Sequence, residues 1–213
     1  MNNKIHTVIF DLDGTLSDSS ILDNAAFENL TAAHGLPMPS KEDVEKATGH
    51  AIPEFYYLLF PDFPREKIFE FGNQVEKESM RLLPSFAGRL LFDGCRELLT
   101  RLKDNGIRIY IASTGTRDHV FPILNETGII GFFDKISCER PDKIEMLREL
   151  TKDKEKNGYV MVGDMRKDSE GARANGILSV GACYGYCRRE LGEFDLYIET
   201  PLELLQILEI KEK

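Results

Sequence analysis

The chain has 213 residues, 42% hydrophobic and 30% charged, the make-up of an ordinary globular protein long enough for one well-buried core and a small inserted module. Its 27 Lys and Arg against 36 Asp and Glu give a net charge of −9, which argues against a nucleic-acid partner, because such a surface needs a basic footprint. No apolar run approaches the roughly 20 residues of a membrane span, Met1-Asn2-Asn3-Lys4 leads into the first strand without an apolar signal segment, and Cys95, Cys138, Cys183 and Cys187 form neither a CxxC pair nor a dense disulfide framework, so a cytoplasmic protein with reduced thiols and no membrane partner is expected.

The first element is Val8-Ile9-Phe10-Asp11-Leu12-Asp13-Gly14-Thr15. An apolar run that ends in two carboxylates and a glycine reads as a buried strand delivering a polar tip to a sheet edge. While the chain stays extended, Asp11 and Asp13 project the same way and lie side by side. Two such charges about 4 Å apart repel by roughly 4 kcal/mol at an effective dielectric near 20, so a divalent cation or a proton is expected to neutralise them. A calcium loop is excluded, because its acidic fifth position, glycine sixth and glutamate twelfth are here Thr15, Leu16 and Leu22. On this stretch alone a plain strand-to-loop turn stays open.

A helix follows from Asp18 or Ser19 to His34, stopped by Gly35. From Pro37 to Pro84 the pattern is helical and proline-punctuated, with candidate helices Lys41–Thr48, Glu54–Phe60 and Arg65–Leu83. A helical block between two buried strands reads as an insertion, giving a core of residues 1–16 and 85–213 and a helical subdomain of residues 17–84. Phe55, Tyr56, Tyr57 and Phe60 read as that subdomain's own core or its packing surface. Beyond Phe92 the chain alternates: helix Asp93–Asn105, strand Ile107–Ala112, helix Arg117–Thr127, strand Phe132–Ile136, and helix Asp142–Leu150 with Asp142 and Glu145 at capping-box spacing. Strand Tyr159–Val162, helix Lys167–Asn175, strands Ile177–Gly181 and Leu196–Ile198, and helix Pro201–Glu209 complete it. Strands alternating with helices predict an α/β fold, a Rossmann-like doubly wound parallel sheet.

Three strands end in polar residues: Asp11 and Asp13 on the first, Ser113 and Thr114 on the second, and Asp164 after Val160-Met161-Val162-Gly163. In a parallel sheet these carboxyl ends share one edge. Together they supply a nucleophile, donors for an anion and acids for magnesium, the inventory of metal-assisted phosphoryl transfer.

On these motifs the chain resembles the haloacid dehalogenase superfamily, in its phosphoglycolate phosphatase-like branch with a helical cap after the first strand. The matching stretches are Asp11-Leu12-Asp13-Gly14-Thr15, Ser113, Gly163-Asp164-Met165-Arg166-Lys167-Asp168, and the segments Gly171–Ile177 and Gly185-Tyr186. The resemblance implies a magnesium-dependent phosphatase acting on a small phosphorylated metabolite, as a monomer or weak homodimer. Asp11 would be the nucleophile that forms an aspartyl-phosphate, and Asp13 the general acid and then base. Asp11, Asp164 and the backbone carbonyl of Asp13 would hold Mg2+, with Asp168 in a supporting role. Ser113, Thr114 and Gly115 would bind the phosphoryl oxygens. For the charge-neutralising lysine, Lys143 and Arg140 both fit the pattern, and the compact ammonium favours Lys143. His50, after Gly49, stands where relatives place a substrate-facing loop, and an exposed loop histidine fits equally.

Two other functions share this core. A sugar-phosphate mutase would carry a His near where this chain has Asp23, and a non-catalytic phosphometabolite-binding protein would lose acids that this chain retains. A dehalogenase has no need of Asp13.

Overall fold

A computed structural model describes residues 5–47, 54–140, 142–152, 156–186 and 193–210. In chain order its regular elements are β1 (Thr7–Phe10), α1 (Ser20–His34), α2 (Lys41–Ala47), α3 (Glu54–Leu59), α4 (Ile68–Phe86), α5 (Cys95–Asp104), β2 (Arg108–Ala112) and α6 (Arg117–Glu126). They continue with β3 (Lys135–Ser137), α7 (Lys143–Leu150), β4 (Tyr159–Gly163), α8 (Arg166–Asn175), β5 (Leu178–Ala182), β6 (Leu196–Ile198) and α9 (Glu203–Ile207). The chain divides into two compact units, Met1–Asp18 with Arg89–Lys213, and Ser19–Gly88.

The first unit holds one six-stranded sheet of order β3-β2-β1-β4-β5-β6, with every neighbouring pair parallel. Every residue of β1 and of β4 is buried, because a parallel sheet is covered on both faces. The connection from β1 to β2 runs one way across the sheet and that from β4 to β5 the other. With right-handed crossovers, that reversal puts α5 and α8 on opposite faces. On one face Leu147 and Leu150 of α7 and Ala172 of α8 pack with Ile9, Tyr110, Tyr159 and Met161 of the strands. The order reverses between β1 and β4, where Phe10 stands level with Val162, and such a switch point is where an open α/β sheet binds its ligands.

The second unit is helical. Ile68, Phe71, Val75, Ser79 and Leu83 form the buried stripe of α4 at helical spacing, and α1 packs along that helix. Phe71 is central, with ring centroids 5.9 Å from Tyr56, 5.1 Å from Phe60 and 5.2 Å from Phe63. Tyr56 and Phe60 are thus part of this unit's own core, with Phe55 and Tyr57 packed against it, and the Arg65 guanidinium lies over Tyr57, 4.7 Å from its ring centroid. Asp23 accepts a hydrogen bond of 3.1 Å from Ser79 Oγ.

Several local expectations change. The helical unit ends at Gly88 rather than at Pro84, because α4 runs through that proline to Phe86. Arg65–Lys67 form a separate 3-10 turn before α4. Asp142 caps α7 by accepting the Ile144 N–H at 2.8 Å, but Glu145 bonds Arg148, so the expected reciprocal box is replaced by a surface ion pair. The terminal helix spans only Glu203–Ile207. Among the described residues no helix is long and apolar enough to cross a membrane.

Candidate active site

Strand β1 stops at Phe10, and the next residue, Asp11, is buried with its N–H donating to Val162 O at 2.9 Å. The chain then turns, with the N–H groups of Leu16 and Ser17 both 2.9 Å from Leu12 O. Gly14 makes the turn possible at φ 79°, and a Cβ there would lie 2.3 Å from Asp164 Oδ2. Regular strand pairing therefore ends before Asp11, and the alternation argument does not reach Asp13. Asp13 Oδ1 lies 3.0 Å from His119 Nε2, and Asp11 Oδ1 lies 2.9 Å from Lys143 Nζ.

Lys143 is the first residue of α7 and is buried. Its Nζ also lies 2.7 Å from Asp168 Oδ1 and donates to the carbonyl of Ala112 at the end of β2. Arg140 is outside this group, paired with Glu149 at 2.8 Å with both side chains about half exposed. Asp168 is set by the start of α8, where its Oδ2 accepts the Met165 N–H at 3.1 Å. Asp164 follows β4 and is fully buried. It accepts hydrogen bonds from Thr15 Oγ1 at 3.2 Å and from the Tyr186 N–H at 3.1 Å.

Asp11, Asp164 and Asp168 each present a carboxylate oxygen, and the three oxygens lie within 4.8 Å of one another. Burial, with the neighbouring Asp11 and Asp168 charges, pushes the Asp164 carboxyl up to about 8. Burial also raises Asp11 to about 6, and the Lys143 ammonium keeps it from rising further. For Lys143 burial alone favours the neutral amine, but Asp11 and Asp168 outweigh it and hold the ammonium above its ordinary value. Lys143 pairs with Asp11 and Asp168, so ionising Asp164 beside them adds buried negative charge that this ammonium does not offset. A hard divalent cation with oxygen ligands fits that donor set, and magnesium, which needs few carboxylates and keeps waters, fits it well.

Beside this cluster, Ser113 is buried at the end of β2, its N–H bonded to Ser137 O and its Oγ accepting the Gly115 N–H, both at 3.0 Å. Thr114 Oγ1 accepts from Lys167 Nζ at 2.9 Å. Thr116 caps α6 by accepting the His119 N–H at 3.2 Å, so a helix N-terminus, favourable to anions, opens next to Ser113–Gly115. His50 and Cys187 lie outside the described residues.

The structure thus brings Asp11, Lys143, Asp164 and Asp168 together, and Asp13 contacts His119. His119 is a site residue outside the matching motifs, and Thr15, Lys167 and Tyr186, which lie within them, are given no role by the motifs. For His119 and Lys167 the available signal was position: each lies in the first turn of a helix that starts at the carboxyl edge of a strand.

The chain is 29% identical over 195 residues to the tyrosine-protein kinase PtkA of Mycobacterium tuberculosis, covering 86% of this chain and 64% of PtkA, so it spans less than two thirds of that relative's length. It is 28% identical over 225 residues to the pyrophosphatase PpaX of Listeria innocua, covering 100% of both chains. The fold matches that of YfnB from Bacillus subtilis, solved bound to magnesium, with a TM-score of 0.77, 16% identity, and coverage of 97% of this chain and 100% of the other. A family model described as haloacid dehalogenase-like hydrolase matches residues 8–182, and the chain therefore belongs to that family of hydrolases.

Proposed function

We propose that this hydrolase is a magnesium-dependent phosphatase that cleaves a small phosphorylated metabolite through an aspartyl-phosphate on Asp11. The observation that carries the proposal is Lys143 Nζ set 2.9 Å from Asp11 and 2.7 Å from Asp168 inside a buried cluster of three carboxylates. Asp11, Asp164 and the backbone carbonyl of Asp13 would hold magnesium, which when bound supplies positive charge to the phosphoryl oxygens.

The protein's own groups account for the rest. Asp11 attacks phosphorus, and the bond from phosphorus to the leaving oxygen breaks as Asp13 gives that oxygen a proton. Water then attacks phosphorus, Asp13 takes its proton, and the bond from Asp11 to phosphorus breaks. Lys143 balances the charge of Asp11 throughout, and Asp168 keeps Lys143 in place. Ser113, Thr114 and Gly115 bind the equatorial oxygens, where prearranged donors act on developing charge. Burial pushes the Asp11 carboxyl up, and the Lys143 ammonium beside it opposes that push and favours the ionised, nucleophilic form.

The named activity of PpaX, matched along its whole length, adds inorganic pyrophosphate to the small phosphate esters as candidate substrates. Within the same proposal the enzyme works in the cytoplasm as a monomer or weak homodimer, a setting in keeping with Cys95, Cys138 and Cys183 as free thiols. Phosphate release from a panel of esters and pyrophosphate, with magnesium and again with chelator, is the test. Chelator-sensitive release is expected. A folded, magnesium-binding protein that releases none, but isomerises a sugar phosphate, would be a mutase instead.

A further inference from the structure

Resting on the phosphatase reading above, we propose that His119 is a positioning residue that orients the Asp13 carboxyl for proton transfer. The two residues are 106 positions apart, and the contact of 3.0 Å between His119 Nε2 and Asp13 Oδ1 joins the turn after β1 to the first turn of α6. Asp13 needs such a hold more than Asp11 does. Asp11 is buried and gripped by Lys143, whereas the Asp13 side chain keeps 28% of its surface in solvent, beyond the end of the strand. A partly exposed carboxyl is less fixed by packing than a buried one, and proton transfer demands a donor within hydrogen-bond reach of the reacting oxygen.

His119 is itself well placed to act as an anchor. Its backbone N–H is bonded to the capping Thr116 hydroxyl at 3.2 Å. Its ring sits against Gly115, where a Cβ would come within 3.2 Å of His119 Cδ2. An ionised carboxylate only accepts, so Nε2 carries the hydrogen in that state. When Asp13 has gained a proton, its carbonyl oxygen accepts the same bond. One donor thus serves both halves of the reaction, the acid step and the base step, without moving.

The test separates proton transfer from general damage. His119→Ala and His119→Gln are compared with the parent in single turnovers on an alkyl phosphate, whose leaving oxygen needs a proton, and on p-nitrophenyl phosphate, whose leaving group does not. His119→Ala is expected to slow alkyl-ester cleavage at least about tenfold, part of the usual general-acid contribution, with KM within about twofold. Release of nitrophenolate in the first turnover stays near the parent rate, and His119→Gln, which keeps a donor at similar reach, recovers most of the loss. Equal losses on both esters, a change confined to KM, or no rescue by Gln would overturn the assignment. A second readout needs no turnover: the 13Cγ resonance of Asp13 in the substrate-free protein shifts in His119→Ala and returns toward the parent in His119→Gln. An unmoved resonance also overturns the inference. A parent inactive on both esters would count against the phosphatase reading itself, and the resonance would still decide the contact.

Discussion

Lys143 Nζ and Asp168 Oδ1 form a 2.7 Å ion pair from which water is excluded, with the two side chains 1% and 0% exposed. Removing one partner of such a pair leaves a buried charge uncompensated, at a typical cost of about 3–5 kcal/mol. Lys143→Met is therefore expected to lower the midpoint of thermal unfolding markedly in the absence of metal, since Asp11 and Asp168 then face each other without a cation. Lys143→Met/Asp168→Asn should recover part of that loss, because the second change removes one of the stranded charges. Unfolding scans of both variants decide it, and a single variant as stable as the parent would show that Lys143 is not neutralising the cluster.

Asp11→Asn separates chemistry from architecture. The amide keeps the shape of the side chain, and Lys143 keeps Asp168 as a partner. Phosphate release should fall by more than about a thousandfold, the scale seen when a nucleophile is removed. The unfolding midpoint should stay within a few degrees of the parent's, because burial already disfavours the charged form of Asp11. Retained turnover would place the nucleophile elsewhere.

The carboxyl group of Asp164 gives a pH dependence of definite sign. Its folded-state value of about 8 lies above the ordinary 3.8, so between those values the folded protein holds a proton that the unfolded chain has lost. The associated stability is fully present below about pH 4 and is lost as the pH rises through about 8. Asp11, raised to about 6, acts in the same direction over a lower window. Metal-free protein should therefore melt at falling temperature from pH 5 to pH 8. Magnesium must displace the proton on Asp164, so its affinity should rise with pH, by up to about tenfold per unit for each proton displaced. Unfolding scans and calorimetry across that range, with and without magnesium, check both slopes. A flat magnesium affinity would mean that Asp164 is already ionised.

How far the sequence reveals this site depends on whether a residue's role is local. The strands, their parallel arrangement and the convergence of Asp11, Ser113 and Asp164 follow from apolar runs that end in polar residues, a pattern each strand carries by itself. The preference for Lys143 over Arg140 rests on chemistry, since a compact ammonium suits a point-charge role between two anions better than a planar guanidinium. The pairing of Asp13 with His119 is hidden, because a lone histidine on a helix has no local mark of what lies 106 residues away. The end of the helical unit was misplaced because Pro84 reads as a stop, and α4 accommodates it near its end.

The turn at Gly14 provides a matched pair of variants. Gly14 and Gly176 share a left-handed backbone, at φ 79° and φ 64°. Alanine in either position carries the strain of that conformation, roughly 1–2 kcal/mol. Their surroundings differ. A Cβ at Gly176 meets nothing within 4 Å, whereas one at Gly14 would lie 2.3 Å from Asp164 Oδ2 and 2.6 Å from its Cγ. That distance is far inside contact, so either the turn or the Asp164 carboxyl must shift, and Asp164 is fixed by Thr15 and Tyr186. Gly176→Ala should thus cost stability alone, leaving magnesium affinity and turnover near the parent's. Gly14→Ala should cost more stability and also weaken magnesium binding and turnover at least about tenfold, the usual scale for disturbing what orients a metal ligand. Calorimetry with magnesium on the two variants measures the difference directly. If both bind magnesium like the parent, the close approach of Gly14 to Asp164 has no bearing on the metal site, and the glycine serves only the turn.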